Sequence, residues 1–334
     1  MKEVRIHFCD FPSGFAPENN HFFHVLSRKW KVVLDPDNPD YLIYSCYGRK
    51  YLNYDCIRIF YTGENLRPDF NFCDYAIGFD YLEYEGRYLR YPEFCLNQEV
   101  FSRLLRSESL EADLLCERKF CNYIYSNGRA DPVRDQFFDL LSQYKYVESL
   151  GNHLNNTANA VGPRDGNDWV ESKLRTQGDY KFSIAFENSS SAGYTTEKIA
   201  HAFSSRTIPI YWGNPKVTDD LNPDAFINAH DYQSMEQVVQ VVRRLDQDDA
   251  AYAKVLNASP FVGNRVPYHL EPNRLCEFFD MILQQSPADA RRRPKYGYIL
   301  FYEERLRSLK HVRPKVKRSP LAKLKRSLRK RFSA

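Results

Sequence analysis

Lys198 stands where a cation is least welcome. The stretch Lys181–Lys216, KFSIAFENSSSAGYTTEKIAHAFSSRTIPIYWGNPK, opens with an apolar run (Phe182, Ile184, Phe186) that ends in a polar turn, Glu187 to Gly193. Tyr194-Thr195-Thr196 leads into a helix-like segment from Glu197 to Phe203, and a second apolar run, Thr207 to Trp212, ends in Gly213. Strand, loop, helix, strand is the unit that presents a helix N-terminus at the carboxyl edge of a parallel sheet, where phosphate and nucleotide bind. A lysine in the first helical turn opposes the helix dipole unless an anion lies between them. The plainer reading of Lys198 is a solvated surface lysine. Glu64 is the second candidate. It follows the apolar run Ile57–Tyr61 at a Thr62-Gly63 turn, which places a carboxylate at a strand end and domain edge. There it is either a general base or an ordinary surface glutamate.

Other chemistries find no support. The acidic pairs Asp219-Asp220 and Asp248-Asp249 lack an Asp-x-Asp framing, and His7, His153, His201 and His230 have no ligand spacing, so no metal site is expected. Eight cysteines include no C-x-x-C pair, and neither a Gly-x-Ser-x-Gly elbow nor a phosphate-binding P-loop occurs.

The Lys181–Lys216 stretch resembles the donor-binding motif of the bacterial α1,3/α1,4-fucosyltransferases, glycosyltransferase family ten, whose pattern is roughly FEN-S-x(4)-Y-x-TEK. A second block, Phe60-Tyr61-Thr62-Gly63-Glu64-Asn65 continuing through Asp74 to Arg90, resembles the acceptor-side motif of the same family. The resemblance implies a GT-B architecture and a metal-free, inverting transfer of fucose from GDP-β-L-fucose. The acceptor would be the 3-hydroxyl of N-acetylglucosamine in a lactosaminyl glycan of a lipopolysaccharide O-chain, giving a Lewis x type product. It implies Glu64 as the base. It implies Arg134, in the segment Ser126–Arg134, as a phosphate contact, with Arg129 as a rival because the loop is one residue shorter than the family's. It implies Asn188, Tyr194, Glu197 and Lys198 as further donor-site residues. Glu187 reads as a helix cap or a weaker site candidate, and Tyr61 equally as an acceptor-side lining residue or a core tyrosine. The rivals are an α1,4 or dual-specificity enzyme, a transferase of another nucleotide sugar, and a membrane-binding module without activity.

The elements that must position these residues read as α/β throughout. Short apolar runs at residues 4–8, 31–34, 41–45, 57–61 and 75–79 alternate with helical spacings such as His21–Trp30, which suggests an open α/β domain. The chain's 334 residues fit two such domains. The expected division is an acceptor-binding domain over 1–110, a GDP-fucose-binding domain over 111–290, a helix over 291–312 returning to the first domain, and a basic tail over 313–334. A charged helix over Glu99–Glu117 marks the junction, and residues 151–168 read as a long loop.

Charge is split along the chain. Residues 305–334 hold 13 of the 47 Lys and Arg, leaving 34 basic against 43 acidic side chains before them, a balance of −9. Read as a helix, 319–334 places Leu321, Leu324, Leu328 and Phe332 on one stripe amid basic residues, which suits an anionic membrane surface. Nucleic acid is a poor partner, because the body is acidic. With no leader-like start and no run of about 18 apolar residues, the expectation is a cytoplasmic protein, peripheral on the inner face of the cytoplasmic membrane.

Overall fold

The computed structural model describes residues 1–110, 117–158, 161 and 169–309. Each short apolar run of the first hundred residues becomes a strand. The order along the chain is β1 (Glu3–Cys9), α1 (His21–Ser27), β2 (Lys31–Leu34), β3 (Tyr41–Tyr44), β4 (Ile57–Tyr61), β5 (Tyr75–Gly78) and β6 (Tyr88–Arg90). They form one sheet in the order β2-β1-β3-β4-β5-β6, parallel at every joint. Every residue of β3 and β4 is buried, as strands covered on both faces must be. The one charge in β4, Arg58, is tolerated because its Nε donates to the Tyr54 carbonyl at 2.9 Å.

The second half continues with α2 (Gln98–Ser102), β7 (Lys119–Tyr123), α3 (Val133–Tyr144), β8 (Val147–Ser149), α4 (Trp169–Gly178), β9 (Tyr180–Phe186), α5 (Glu197–Ser204), β10 (Ile208–Trp212) and β11 (Ile227–Asn228). These strands make a second parallel sheet, β11-β10-β9-β7-β8. Helices α6 (Met235–Gln247), α7 (Asp249–Asn257), α8 (Asn273–Leu283) and α9 (Pro287–Ala290) follow. Two parallel α/β layers with a cleft lined from both are the GT-B type expected from the motifs.

The expected helix over Glu99–Glu117 is cut short. Asn97 caps α2 by accepting from the Val100 N–H at 3.2 Å, but the helix is over by Ser102. The Arg106 and Leu110 N–H groups donate instead to the side-chain amides of Asn264 (2.8 Å) and Asn257 (2.9 Å), so tertiary partners replace helical ones. Residues 111–116 of that expected helix, and most of the loop expected over 151–168 beyond residue 158, lie outside the described residues.

The chain returns to the first sheet earlier than 291. Leu275, Phe279 and Ile282 of α8 join the core built on Phe22, Ile59 and Tyr75, and Phe279 meets Phe22 edge-on at 6.3 Å. Arg292 and Arg293 then donate backbone N–H groups to Asp74 Oδ1 at 2.8 and 2.9 Å. The stretch from Asn273 to Arg293 therefore belongs with the first sheet, because α8's apolar stripe fits α1. Helix α10 (Ile299–Ser308) lies in a separate unit, residues 295–334, and carries an internal Arg307–Glu303 pair at 3.1 Å. The basic stripe of 319–334 falls outside the described residues, among which no helix is long and apolar enough to cross a membrane.

The two layers meet where the two sequence blocks meet. Asn65 Nδ2 donates to Ser189 Oγ at 2.7 Å and to Ser191 Oγ at 2.9 Å. Arg90 forks onto buried Asp220 at 2.9 and 2.6 Å, a bidentate pair that also fixes the angle between its partners. Gly193 has φ +83°, and a Cβ there would stand 2.2 Å from the Phe79 carbonyl. Only glycine allows that approach.

Candidate active site

The C-terminal end of β9 builds the site. Its last residue is followed by Glu187, fully buried and held because Gly213 makes room: a Cβ on Gly213 would meet Glu187 Cγ at 2.4 Å. Glu187 accepts from the Thr196 N–H and from Thr196 Oγ1, both at 2.7 Å, and takes Lys198 Nζ at 3.0 Å. Of the two roles open to Glu187, it has the helix cap. It does not line the cleft.

An anion accompanies Lys198 at the start of α5, as the helix dipole requires. The anion is Glu187 itself. The Glu197 N–H is also taken, by Glu93 Oε2 at 2.6 Å. Two N–H groups at the start of α5 thus point at side-chain carboxyl oxygens of the chain, as buried donors require. Burial lowers the Lys198 ammonium, but Glu187 and Glu197 outweigh it and hold the pKa well above the ordinary lysine value. Burial would raise Glu197, yet Lys198, Lys173 and His201 keep its carboxyl below the usual range. The opposite happens to Glu93: loss of water around the carboxyl, then the Glu197 charge, push it up to about 8.

Arg134 has a different environment. It lies in the first turn of α3, 1 % exposed, with its guanidinium 4.2 Å over the Tyr125 ring. Nη1 donates to Asn188 Oδ1 at 3.1 Å and Nη2 to the Asn127 carbonyl. Its buried Nε has no hydrogen-bond partner; the nearest carboxylate, Asp135, stands 3.8 Å away. The rival Arg129 is exposed on the preceding loop and does not reach the cleft wall.

Glu64, half-exposed beyond the end of β4, is held by two bonds. Its N–H donates to Thr62 Oγ1 at 3.1 Å, and its Oε1 accepts from the Tyr47 hydroxyl at 2.7 Å. Tyr194 is buried, with its ring edge-on to Phe79 at 5.1 Å. Burial raises the Tyr61 phenol well above its ordinary value, and Glu93 adds to that.

A cleft of about 810 Å³ collects Tyr61, Glu64, Arg134, Asn188, Tyr194, Glu197 and Lys198 on its walls. Among the described residues, no group of three or more His, Cys, Asp or Glu is arranged to hold a metal ion. One wall can receive a diphosphate and the other offers a carboxylate to a hydroxyl. That arrangement suits transfer from an activated nucleotide donor.

Comparison with known proteins agrees with this geometry. Residues 6–97 match the family described as the alpha-(1,3)-fucosyltransferase FucT N-terminal domain. Residues 116–285, half of the chain, match the glycosyltransferase family 10 (fucosyltransferase) C-terminal region. The chain belongs to glycosyltransferase family 10. Its family relatives include the alpha-(1,3)-fucosyltransferase FucT of Helicobacter pylori, 32% identical over 80% of this chain and 63% of the relative. An alpha-(1,4)-fucosyltransferase of Arabidopsis thaliana is 29% identical over 46% of this chain and 43% of the relative. This chain thus spans less than two thirds of the length of these curated family members. A crystal structure of an alpha1,3-fucosyltransferase with GDP-fucose superposes with a TM-score of 0.70 at 27% identity, covering 86% of this chain and 92% of that one. Another crystal structure of an alpha1,3-fucosyltransferase gives a TM-score of 0.74 over 88% and 93%.

The family motifs do not mark several cleft residues. Lys173 is buried with Nζ 3.0 Å from His201 Nδ1, and Trp169 flanks both. His201 lies four residues after Glu197, on the same helix face, and that spacing is a readable signal. Tyr47 and Asn127 sit on loops with no periodic signature. Glu93 follows β6 as Glu64 follows β4, so its place beyond a parallel strand was the available sign.

Proposed function

We propose that the chain is an inverting fucosyltransferase that moves fucose from GDP-β-L-fucose to the 3-hydroxyl of N-acetylglucosamine in a lactosaminyl glycan. One observation carries the proposal: the buried Arg134 guanidinium lines the same cleft as Glu64 and Lys198. A fixed cation on a cleft wall suits an anionic ligand, and a planar guanidinium fork suits phosphate oxygens. Lys198 supports the same wall, although its ammonium already serves Glu187.

In the step we propose, Glu64 takes the proton of the acceptor hydroxyl as that oxygen attacks the anomeric carbon of fucose. The bond from the anomeric carbon to the phosphate oxygen breaks on the opposite face, and GDP leaves with its new charge against Arg134 and Lys198. Fixed cations placed where charge develops lower the barrier without reorganising during the reaction. A well-placed base contributes a further factor of roughly 10²–10⁴. With Oε1 bonded to the Tyr47 hydroxyl, Glu64 Oε2 would take the proton.

We further propose that no metal or other cofactor is required, since the cations do the work that a divalent ion does elsewhere. Asn188, Tyr194 and Glu197 would bond donor hydroxyl and phosphate oxygens. The basic tail would hold the enzyme on an anionic membrane at its cytoplasmic face, beside lipid-carried O-chains. The test is transfer of fucose to type 2 and type 1 lactosamine, with the linkage read by NMR. An α1,3 bond on the type 2 acceptor supports the proposal. An α1,4 bond on type 1 alone would replace its regiochemistry, and protection against melting by UDP but not GDP would replace its donor.

A further inference from the structure

Glu93 touches both halves of the proposed reaction while belonging to neither motif. Its Oε2 accepts from the backbone N–H of Glu197, the first residue of the helix that carries Lys198. Its stem lies against the turn that carries Glu64: a Cβ built on Gly63 would stand 3.0 Å from Glu93 Cγ. The backbone around it is firm, because Glu93 follows Pro92 and opens a short 3-10 turn, and the Leu96 N–H returns to the Glu93 carbonyl at 3.0 Å. Around the carboxyl stand Glu197 and Lys198 from α5, Glu187 from the end of β9, and Tyr61 from β4.

We infer that Glu93 is a positioning residue: it ties the N-terminus of the donor-side helix to the turn bearing the base, and so sets the distance between Glu64 and the fucose it must serve. The two layers come from separate sheets, so something must fix their register at the reacting atoms. Asn65 does this at the loop, and Glu93 does it at the helix start. A displacement of about 1 Å between reacting groups can cost on the order of 100-fold in rate. Burial and then the Glu197 charge raise the Glu93 carboxyl and favour its neutral form, so Glu93→Gln keeps the shape and an acceptor oxygen.

The inference rests on the fucose-transfer reading for its kinetic arm alone. The experiment compares the full-length protein with Glu93→Ala and Glu93→Gln. It reads backbone amide exchange at Glu197 in the ligand-free state, GDP affinity, and kcat and KM for transfer. Expected for Glu93→Ala are a Glu197 amide that exchanges faster, GDP affinity within about threefold of wild type, and kcat reduced about tenfold to 100-fold. Expected for Glu93→Gln is recovery of both amide protection and kcat. Unchanged exchange at Glu197 in Glu93→Ala overturns the tie, and wild-type kcat despite a freed amide overturns the positioning role. Loss of GDP binding in both variants overturns it too, and makes Glu93 a donor contact. Should Glu93→Ala not fold, Glu93→Gln decides: a freed Glu197 amide with wild-type kcat contradicts the inference. If the wild-type protein binds GDP yet transfers no fucose, the functional reading fails by itself, and amide exchange still decides the tie.

Discussion

Replacing Lys198 by Met separates what the lysine does for the fold from what it does for a donor. Its side chain is 14% exposed and pairs at 3.0 Å with Glu187, whose side chain is fully buried. Removing one member of such a pair strands the other charge, at a cost of about 3–5 kcal/mol. At roughly 2–4 °C per kcal/mol for a chain of this size, Lys198→Met should melt about 6–20 °C lower. Glu187→Gln alone should cost less, because Lys198 keeps Glu197 at 3.6 Å and Gln still offers one oxygen to Thr196. The double variant should be more stable than the sum of the single losses by about 1–3 kcal/mol, the coupling expected of residues in contact. Urea denaturation at pH 7 measures all four proteins, and GDP titration of the folded double variant then reads the phosphate role alone. Additive losses would show that the Glu187–Lys198 pair is not formed. Wild-type GDP affinity in the double variant would remove Lys198 from the donor site.

Arg134→Lys loses the fork onto Asn188 and Asn127. Hydrogen bonds to a charged group are worth about 1.5–3 kcal/mol, so GDP affinity by calorimetry should fall between tenfold and about 100-fold with circular dichroism unchanged. Tyr47→Phe removes one neutral donor from Glu64 Oε1, and kcat should drop about threefold to tenfold while GDP binding stays as it was. Glu93 keeps its proton in the folded protein up to about 8 but in the unfolded chain only to about 4.3. The wild type therefore loses stability as pH rises between those values, and Glu93→Gln does not. The melting temperature of Glu93→Gln relative to wild type should climb from pH 5 to pH 8.5, and a constant difference would contradict the raised carboxyl.

The strands of both sheets were legible where apolar residues recur over five to seven positions between turn residues, as in β4 and β9. β6 and β8, three residues each, are too short to show a period. The Glu99–Glu117 helix was misread because charge and helical propensity continue past Ser102, while the amides that capture its backbone, Asn257 and Asn264, lie some 150 residues away in sequence. In the site, sequence-local turns on the two motif blocks bring Glu64, Asn188, Tyr194, Glu197 and Lys198 to one cleft. Glu187 as the partner of Lys198, and Glu93 at the start of α5, depend on contacts between strand ends that no local pattern records. At Lys198 the helix dipole requires an anion, and no local pattern distinguishes a ligand's charge from that of Glu187.

The most direct measurement is transfer of labelled fucose from GDP-fucose to N-acetyllactosamine with EDTA present, for wild type and Glu64→Gln side by side. The account predicts an α1,3-linked product from the wild type. It predicts a rate lower by roughly 10²–10⁴ in the variant, with GDP affinity equal in both. Equal rates would remove Glu64 as the base, and dependence of the wild-type rate on added divalent metal would contradict a donor site built on Arg134 and Lys198.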